Sequence, residues 1–253
     1  MQETLFIGKN VIHLPSIPST NDYAKQLLAE KKQIDGTLIY CDEQTEGRGQ
    51  MGSNWESEGK KNLTASFILY PNFLAPDKQF FLNIAVSLAV REFCESLTEE
   101  FVQIKWPNDI LIEGKKVSGI LIETAIQSSR LQHVVIGIGV NINQLNFPEH
   151  LHNATSILAN NPLRTEPFEI SKLLKKLSFF LEKYYMQLKQ EHYHFLSKAY
   201  ITSLWRYNQT HEFLKGKQII KGEITGIAKD GKLEIDINGK TQRFAFKELE
   251  YIF

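Results

Sequence analysis

Short runs of apolar and β-branched residues recur through the first 143 residues and predict a β-sheet. The densest part lies between residues 102 and 143, where two of the runs face each other across a tight turn at Gly114 and Lys115. The predicted strands cover residues 11–14, 37–44, 63–69, 101–106, 109–113, 116–126 and 133–143.

Apolar residues at helical spacing predict helices between and after these strands. Residues 15–18 contain two prolines and predict a rigid connection from the first strand to a helix that begins at Ser19–Asp22. Capping of that helix is the simplest role for its polar start. A helix N-terminus also offers free backbone N–H groups to a small polar or anionic ligand. Further helices are predicted at residues 81–97, 168–188 and 195–199.

The composition changes near residues 205–216, and three short strands follow at 218–228, 232–237 and 240–246. Asp230-Gly231 and Asn238-Gly239 separate them and are typical of two-residue hairpin turns. The pattern predicts an α+β protein. A mixed β-sheet packed with helices would occupy residues 1–208, and a small β unit would occupy residues 209–253.

Composition narrows the classes of partner and compartment. The 253 residues are 42% hydrophobic, which is ample for a core, and 29 basic residues balance 29 acidic ones. A net charge of zero gives no support for binding nucleic acid or an anionic membrane. Cys41 and Cys94 lack CxxC spacing, no secretory signal is present, and no apolar run reaches the roughly 20 residues that span a bilayer. We therefore expect a cytoplasmic protein.

Polar side chains follow the ends of several predicted strands. Pro107 cannot continue a strand ladder, so it would deliver Asn108 and Asp109 at a strand end with free side chains. Asp109 could hold a metal ion or simply lock the Pro turn. Lys116, Asn141 and Asn143 lie at the ends of neighbouring predicted strands.

The segment between residues 47 and 55 is rich in glycine and carries Arg48 and Trp55. It matches G-x-G-x-x-G, but SNWESEGKKN follows it rather than an apolar helix, so a dinucleotide fold is not predicted. A plain surface loop is one interpretation. Since tryptophan is unusual in solvent, a lid that orders over an anion is the better one.

Four motifs in this order and spacing resemble those of the biotin protein ligases, also called biotin–acetyl-CoA-carboxylase ligases. They are Ser19-Thr20-Asn21, GRGQMGSNW, KWPNDILIEGKKVSGILIE and GIGVNIN. The resemblance implies a class II synthetase-like biotin/lipoate ligase fold with a C-terminal SH3-like β-barrel. Because the Ser19 motif comes so early, it also implies the monofunctional type, which lacks an N-terminal DNA-binding domain.

The resemblance implies an ATP-dependent reaction in two steps. Biotin and ATP are the substrates; with Mg²⁺ they give biotinyl-5'-AMP and pyrophosphate. Biotin then passes to one lysine of a biotin carboxyl carrier protein or domain. An exposed strand edge could form a homodimer or receive that carrier domain.

The resemblance assigns the functional positions of the family to individual residues of this sequence. The catalytic positions belong to Arg48 and Lys116. The biotin positions belong to Ser19, Thr20, Asn21, Gln44, Arg48, Gly49, Gln50, Lys116 and Gly119. The ATP and adenylate positions belong to Arg48, Trp55, Asn108, Asp109, Lys116 and Asn141, and Asp109 is also the metal candidate. Many relatives carry a second arginine where this chain has Gln50, and further basic residues where it has Met51 and Ser53. We therefore expect binding of the adenylate to rest more heavily on Arg48, Lys116 and backbone N–H groups.

Two other functions stay open. Lipoate or octanoate ligases and transferases share the fold but would want a longer, wholly apolar tunnel without the Ser-Thr-Asn contacts. A non-enzymatic biotin sensor or carrier-docking module would need a DNA-binding region or a lost lysine. Lys116 is present, which favours an enzyme.

Overall fold

Two β-sheets organise the protein in a computed structural model that describes residues 3–127 and 130–252. Residues 1, 2, 128, 129 and 253, which fall in the predicted units 1–208 and 209–253, lie outside the described residues. The strands of the large sheet are β1 (Val11–Ile17), β2 (Thr37–Gln44), β3 (Leu63–Leu69), β4 (Val102–Lys105), β5 (Asp109–Ile112), β6 (Lys115–Gln127) and β7 (Arg130–Val140).

Helices connect and follow these strands. The α-helices of the described residues are α1 (Thr20–Glu30), α2 (Phe80–Glu95), α3 (Ile170–Lys189) and α4 (Tyr193–Thr202). Short 3₁₀ turns occur at Gln50–Gly52, Pro76–Lys78, Glu149–Leu151 and Leu158–Asn160. Within the part of the chain that is described, no helix is both long enough and apolar enough to cross a membrane.

The strand order of the large sheet is β1-β2-β3-β7-β6-β5-β4. β1 and β2 are parallel, and the other neighbouring strands are antiparallel. The predicted mixed sheet is therefore confirmed. Because β7 pairs with both β3 and β6, strands from distant parts of the sequence meet at the centre of one sheet.

Both faces of this sheet are covered. Side chains alternate along a strand, so Phe67 and Ile136 join the core on the α2 and α3 face. Their neighbours Ile68 and Val135 pack under Ala24 of α1 on the opposite face. Each large apolar side chain that is fully buried in this way contributes about 1.5–3 kcal/mol to folding.

The first strand is longer than the sequence predicts. Residues 15–18 were expected to form a rigid connection, but β1 continues to Ile17, which pairs with Gln44 of β2. Pro15 has no N–H to donate, yet β1 is an edge strand with a neighbour on one side only, where proline is tolerated. This register brings the end of β2 beside the start of α1.

The predicted start of α1 is confirmed. Ser19 is the N-cap, and its Oγ accepts a hydrogen bond of 3.3 Å from the backbone N–H of Asp22. Ser19 therefore fixes the first turn of α1 shortly after the end of β1.

The second sheet is antiparallel, with the order β11-β10-β9-β8-β12. Its strands are β8 (Thr210–Lys215), β9 (Gln218–Ile227), β10 (Leu233–Ile237), β11 (Lys240–Phe244) and β12 (Glu250–Tyr251). β8 and β12 were not predicted. The two-residue turn at Asn238-Gly239 is confirmed, whereas Asp230-Gly231 lies in a longer connection between Ile227 and Leu233. The domain boundary after residue 208 stays a prediction.

The C-terminal sheet packs against the end of β4. Trp106 donates a hydrogen bond of 3.0 Å from Nε1 to the carbonyl of Gly231. The ring of Trp205 stacks on Tyr251 with centroids 5.5 Å apart. These contacts place the C-terminal sheet next to the Asn108 and Asp109 turn.

Candidate active site

Bare backbone forms part of the floor of a cleft on the large sheet. Gly137 and Gly139 are two residues apart on β7, so they share one face, and Gly119 of β6 lies directly across from Gly139. A Cβ at Gly137 would overlap the Asn21 side chain, and one at Gly139 would overlap the Trp55 ring. Glycine at these positions lets Asn21 and Trp55 lie directly on the sheet.

One end of the cleft is lined by uncharged hydroxyl and carboxamide groups, with the Glu123 carboxylate behind them. Gln44 Oε1 accepts from the backbone N–H of Thr20 at 2.9 Å and from its hydroxyl at 3.2 Å. Ser66 Oγ lies 2.7 Å from Thr20 Oγ1 and 2.6 Å from Asn21 Oδ1. The Asn21 Nδ2 donates to Glu123 at 2.8 Å. This hydrogen-bond network fixes the rotamers of these side chains without the help of a ligand.

The segment between Gly47 and Trp55 closes on itself as a small hairpin. The backbone N–H of Trp55 donates to the Gly47 carbonyl at 2.9 Å, and that of Gly49 donates to Ser53 at 2.6 Å. Arg48 pairs with Asn54 in an isolated antiparallel bridge. The hairpin covers the cleft and carries Arg48 into its wall.

Positive charge and one carboxylate meet at the other end. Lys116 Nζ lies 2.7 Å from Asp109 Oδ1, and Lys105 Nζ lies 4.0 Å from Asp109 Oδ2. Asn108 Nδ2 donates to the Ile120 carbonyl at 2.5 Å, which fixes its side chain. Asp109 therefore lies between two lysines.

The local backbone explains why Lys116 reaches this point. The pairing of β5 with β6 shifts register between Ile110 and Leu111. Such bulges re-aim side chains next to active sites. The backbone of Lys116 is also held from the side, because its N–H donates to Asn153 at 2.7 Å and its carbonyl accepts from Thr155 at 2.9 Å.

Burial changes the titration of Lys105. Desolvation lowers the pKa of the Lys105 ammonium, and the Asp109 carboxylate opposes that effect only in part. Lys116, a second cation, lowers the pKa further. Lys105 and Lys116 thus lie close together in a region where burial makes positive charge unfavourable. An anionic ligand would relieve that cost.

The cleft encloses a cavity of about 160 Å³. Nearly all the residues proposed from the sequence line it together. These are Ser19, Thr20, Asn21, Gln44, Arg48, Gly49, Gln50, Trp55, Asn108, Asp109, Lys116 and Gly119. Arg48 and Lys116 therefore reach the same cleft, as the proposed chemistry requires.

Asn141 does not line this cleft. Its Nδ2 donates to the Thr155 carbonyl at 3.0 Å, and its buried Oδ1 has no hydrogen-bond partner within the described residues. The geometry gives it a role in holding the segment that supports Lys116. Its assignment to the nucleotide stays a prediction.

Sequence reasoning missed several residues of the cleft or its border. Ser66 lies in an apolar strand run, so no local signal distinguishes it from a core residue. Glu123 was part of a matched motif but was given no role. Phe246 lines the cleft from the C-terminal sheet, and no pattern in the sequence predicts that approach.

The residues fit a magnesium ion only as part of a nucleotide complex. No group of three or more His, Cys, Asp or Glu side chains in residues 3–127 and 130–252 could hold a metal. Asp109 is the carboxylate among the described residues that line the cleft. Since Mg²⁺ commonly binds through one carboxylate plus substrate phosphates, this donor set suits an ion carried by a nucleotide.

Comparison with known proteins identifies relatives of the chain. Residues 13–141 match the model of the Biotin/lipoate A/B protein ligase family. The chain is 39% identical over 158 residues to Bifunctional ligase/repressor BirA of Bacillus spizizenii, and this alignment covers 61% of the chain and 48% of the relative. It is 28% identical over 228 residues to Biotin--[acetyl-CoA-carboxylase] ligase of Mycobacterium tuberculosis, which covers 88% and 82%.

A solved structure extends the similarity to the whole fold. Biotin protein ligase from Aquifex aeolicus in complex with biotin and ATP superposes with a TM-score of 0.78 at 26% identity, over 96% of this chain and 98% of that one. The chain spans about half the length of the first curated relatives that it matches. The match to the family model covers more than half of this sequence, so the chain belongs to the biotin/lipoate A/B protein ligase family.

Proposed function

We propose that the protein is an ATP-dependent biotin protein ligase. In the first step, a biotin carboxylate oxygen attacks the α-phosphorus of ATP, and the bond to pyrophosphate breaks to leave biotinyl-5'-AMP. In the second step, a lysine amine of a biotin carboxyl carrier domain attacks the acyl carbonyl and displaces AMP. One observation carries the proposal: neutral hydrogen-bonding groups and two cations occupy the same cleft.

The neutral end suits the ureido ring of biotin. A ureido group presents one acceptor and two donors, so its site needs both kinds of partner. Thr20, Asn21 and Gln44 supply hydroxyl and carboxamide groups there, and their internal hydrogen bonds hold them in place. A pre-formed polar site loses less conformational entropy when it binds a rigid ring.

The cationic end suits the reacting anions. A carboxylate and a phosphate at about 4 Å repel each other by roughly 4 kcal/mol at an effective dielectric constant near 20. Lys116 at this end can offset that repulsion as a point charge, and Arg48, which the hairpin holds beside Asp22, can add a planar fork when it exchanges that carboxylate for the ligand. The Lys116 side chain is 39% exposed, so its ion pair with Asp109 contributes only about 0–1 kcal/mol and can exchange for phosphate.

Asp109 would provide the protein's carboxylate to Mg²⁺. A bound ion would neutralise charge on the departing pyrophosphate. The carboxylate also orients Lys116 through their 2.7 Å contact, so the two roles share one side chain.

Lipoate or octanoate ligation is the alternative within the family. Those acyl chains are apolar and give no partner to a hydroxyl and carboxamide cluster. Thr20, Asn21 and Ser66 are buried and already bonded within the protein, so an aliphatic chain would gain no hydrogen bond from them, whereas a ureido ring can use their remaining donor and acceptor capacity. The cleft therefore favours biotin.

Biotin-dependent release of pyrophosphate from ATP tests the first step, and transfer of labelled biotin to a carrier domain tests the second. Lys116→Ala should reduce adenylate formation by about 10²-fold or more. Lys115→Ala removes an exposed lysine next to it and is the matched control. Pyrophosphate release with lipoate but not with biotin would contradict the proposal.

A further inference from the structure

A turn of the C-terminal sheet reaches the cleft. Residues 245–249 connect β11 to β12, and Glu248 fixes their shape by accepting a 2.8 Å hydrogen bond from the backbone N–H of Ala245. The backbone N–H of Glu248 donates to the Ala245 carbonyl at 3.1 Å. Lys247, which lies between Ala245 and Glu248 in the sequence, adopts a left-handed conformation with φ of 66°. The turn thus has a defined direction.

Two side chains leave this turn toward the large sheet. Phe246 lines the cleft and packs against Trp106, with ring centroids 6.1 Å apart. Lys247 Nζ donates a 3.0 Å hydrogen bond to the backbone carbonyl of Met51. Met51 lies at the tip of the hairpin between residues 47 and 55, and this tip is far from Lys247 in the sequence.

The hairpin needs a contact of this kind at its tip. The bonds that join Gly47 to Trp55 and Gly49 to Ser53 hold the hairpin together but do not attach its tip to the protein. Arg48 anchors the base of the hairpin to Asp22. Met51 is 68% exposed, so burial of this residue does little to fix the tip.

We propose that Lys247 is a positioning residue that latches the tip of the hairpin closed over the cleft. Its partner is a main-chain oxygen, so the latch does not depend on the side chain at position 51. Closure keeps Arg48 and Trp55 in the cleft wall. The effect of the latch on ligation rests on the proposed function, whereas its effect on the hairpin does not.

Trypsin cleavage after Arg48 measures opening of the hairpin without any ligand. The full chain is digested briefly, and the fragment that ends at Arg48 is quantified by mass spectrometry. Lys247→Ala should speed this cleavage by roughly two- to tenfold, the range expected for loss of one hydrogen bond. Lys247→Arg keeps a cationic donor and should restore the wild-type rate. Lys240→Ala removes an exposed lysine of β11 and should leave the rate unchanged.

Release of labelled biotinyl-5'-AMP then measures the consequence for the reaction. Lys247→Ala should speed release by a similar factor, and Lys247→Arg should not. Equal cleavage in wild type and Lys247→Ala, or equal acceleration in Lys240→Ala, would overturn the latch. If wild type forms no adenylate while Lys247→Ala still opens the hairpin, the proposed function fails and the latch stands.

Discussion

Arg48 Nη1 donates a 2.5 Å hydrogen bond to Asp22 Oδ1 and so ties the glycine-rich hairpin to the first turn of α1. Lys25 binds the same carboxylate oxygen at 2.7 Å. The side chains of Arg48 and Asp22 are 48% and 46% exposed, and such pairs contribute only about 0–1 kcal/mol. The arginine is thus oriented by a partner that an anionic ligand can replace at little cost.

Arg48 and Gln50 should differ in how strongly they retain the adenylate. Arg48→Ala removes a cation from the cleft and should raise the dissociation rate of biotinyl-5'-AMP at least about tenfold or weaken biotin binding, since hydrogen bonds to charged groups are the stronger ones. Gln50→Ala removes an uncharged donor and should be milder. Adenylate dissociation measured for the two variants tests this ranking, and equal rates would refute it.

Ser66 should matter for biotin although it lies in the middle of a strand. Ser66→Ala removes the hydroxyl between Thr20 and Asn21, so their rotamers become less fixed. Relative to wild type, we expect the free energy of unfolding to fall by about 1 kcal/mol. We also expect the KM for biotin to rise more than the KM for ATP. Urea denaturation and steady-state kinetics measure the two effects.

Ser87 provides the matched control for this variant. It is fully buried, and its Oγ has no hydrogen-bond partner in the described part of the chain. Ser87→Ala should therefore leave the KM for biotin unchanged. A biotin KM that rises equally in both variants would show that the Ser66 effect is a general loss of packing.

Gly139 should be required for the position of the Trp55 ring. A Cβ at Gly139 would lie 2.6 Å from Trp55 Nε1, so Gly139→Ala should push the indole off the sheet and into water. Tryptophan fluorescence should shift to longer wavelength, and the KM for ATP should rise about tenfold if the ring stacks on the base. The same substitution in a Trp55→Phe background should give no such shift. A shift that persists there would come from Trp106 or Trp205 and would contradict the prediction.

Acid should weaken the tie between the hairpin and α1. Partial burial raises the pKa of Asp22, but hydrogen bonds from Lys25 and Arg48 outweigh that effect and leave the pKa below its ordinary value. A lowered pKa means that the carboxylate stabilises the fold above the unfolded pKa of about 3.9, and that this stability is lost as the pH falls through the folded pKa.

Asp22→Asn provides the comparison. At pH 6 the wild type should be the more stable protein in urea denaturation, and the difference should shrink below about pH 4. A difference that stays constant between pH 6 and pH 3 would show that Asp22 acts through packing or helix capping rather than through its charge.

Local chemistry in the sequence determined most of the elements. The strands at residues 37–44 and 63–69 have the predicted bounds because both are rich in apolar and β-branched residues and contain no glycine or proline. Ser19 marks the start of α1 because its short hydroxyl side chain caps a helix N-terminus. The residues assigned from the family motifs, with the exception of Asn141, line one cleft.

Only the tertiary structure decided how these elements meet. Side-chain alternation tells which residues of one strand share a face, but not that β7 lies between β3 and β6. That order brings Ser66 under Asn21, and the docking of the C-terminal sheet brings Phe246 to the cleft and Lys247 to the hairpin tip. Such contacts join residues far apart in sequence, and they depend on the packing of whole sheets rather than on any local preference.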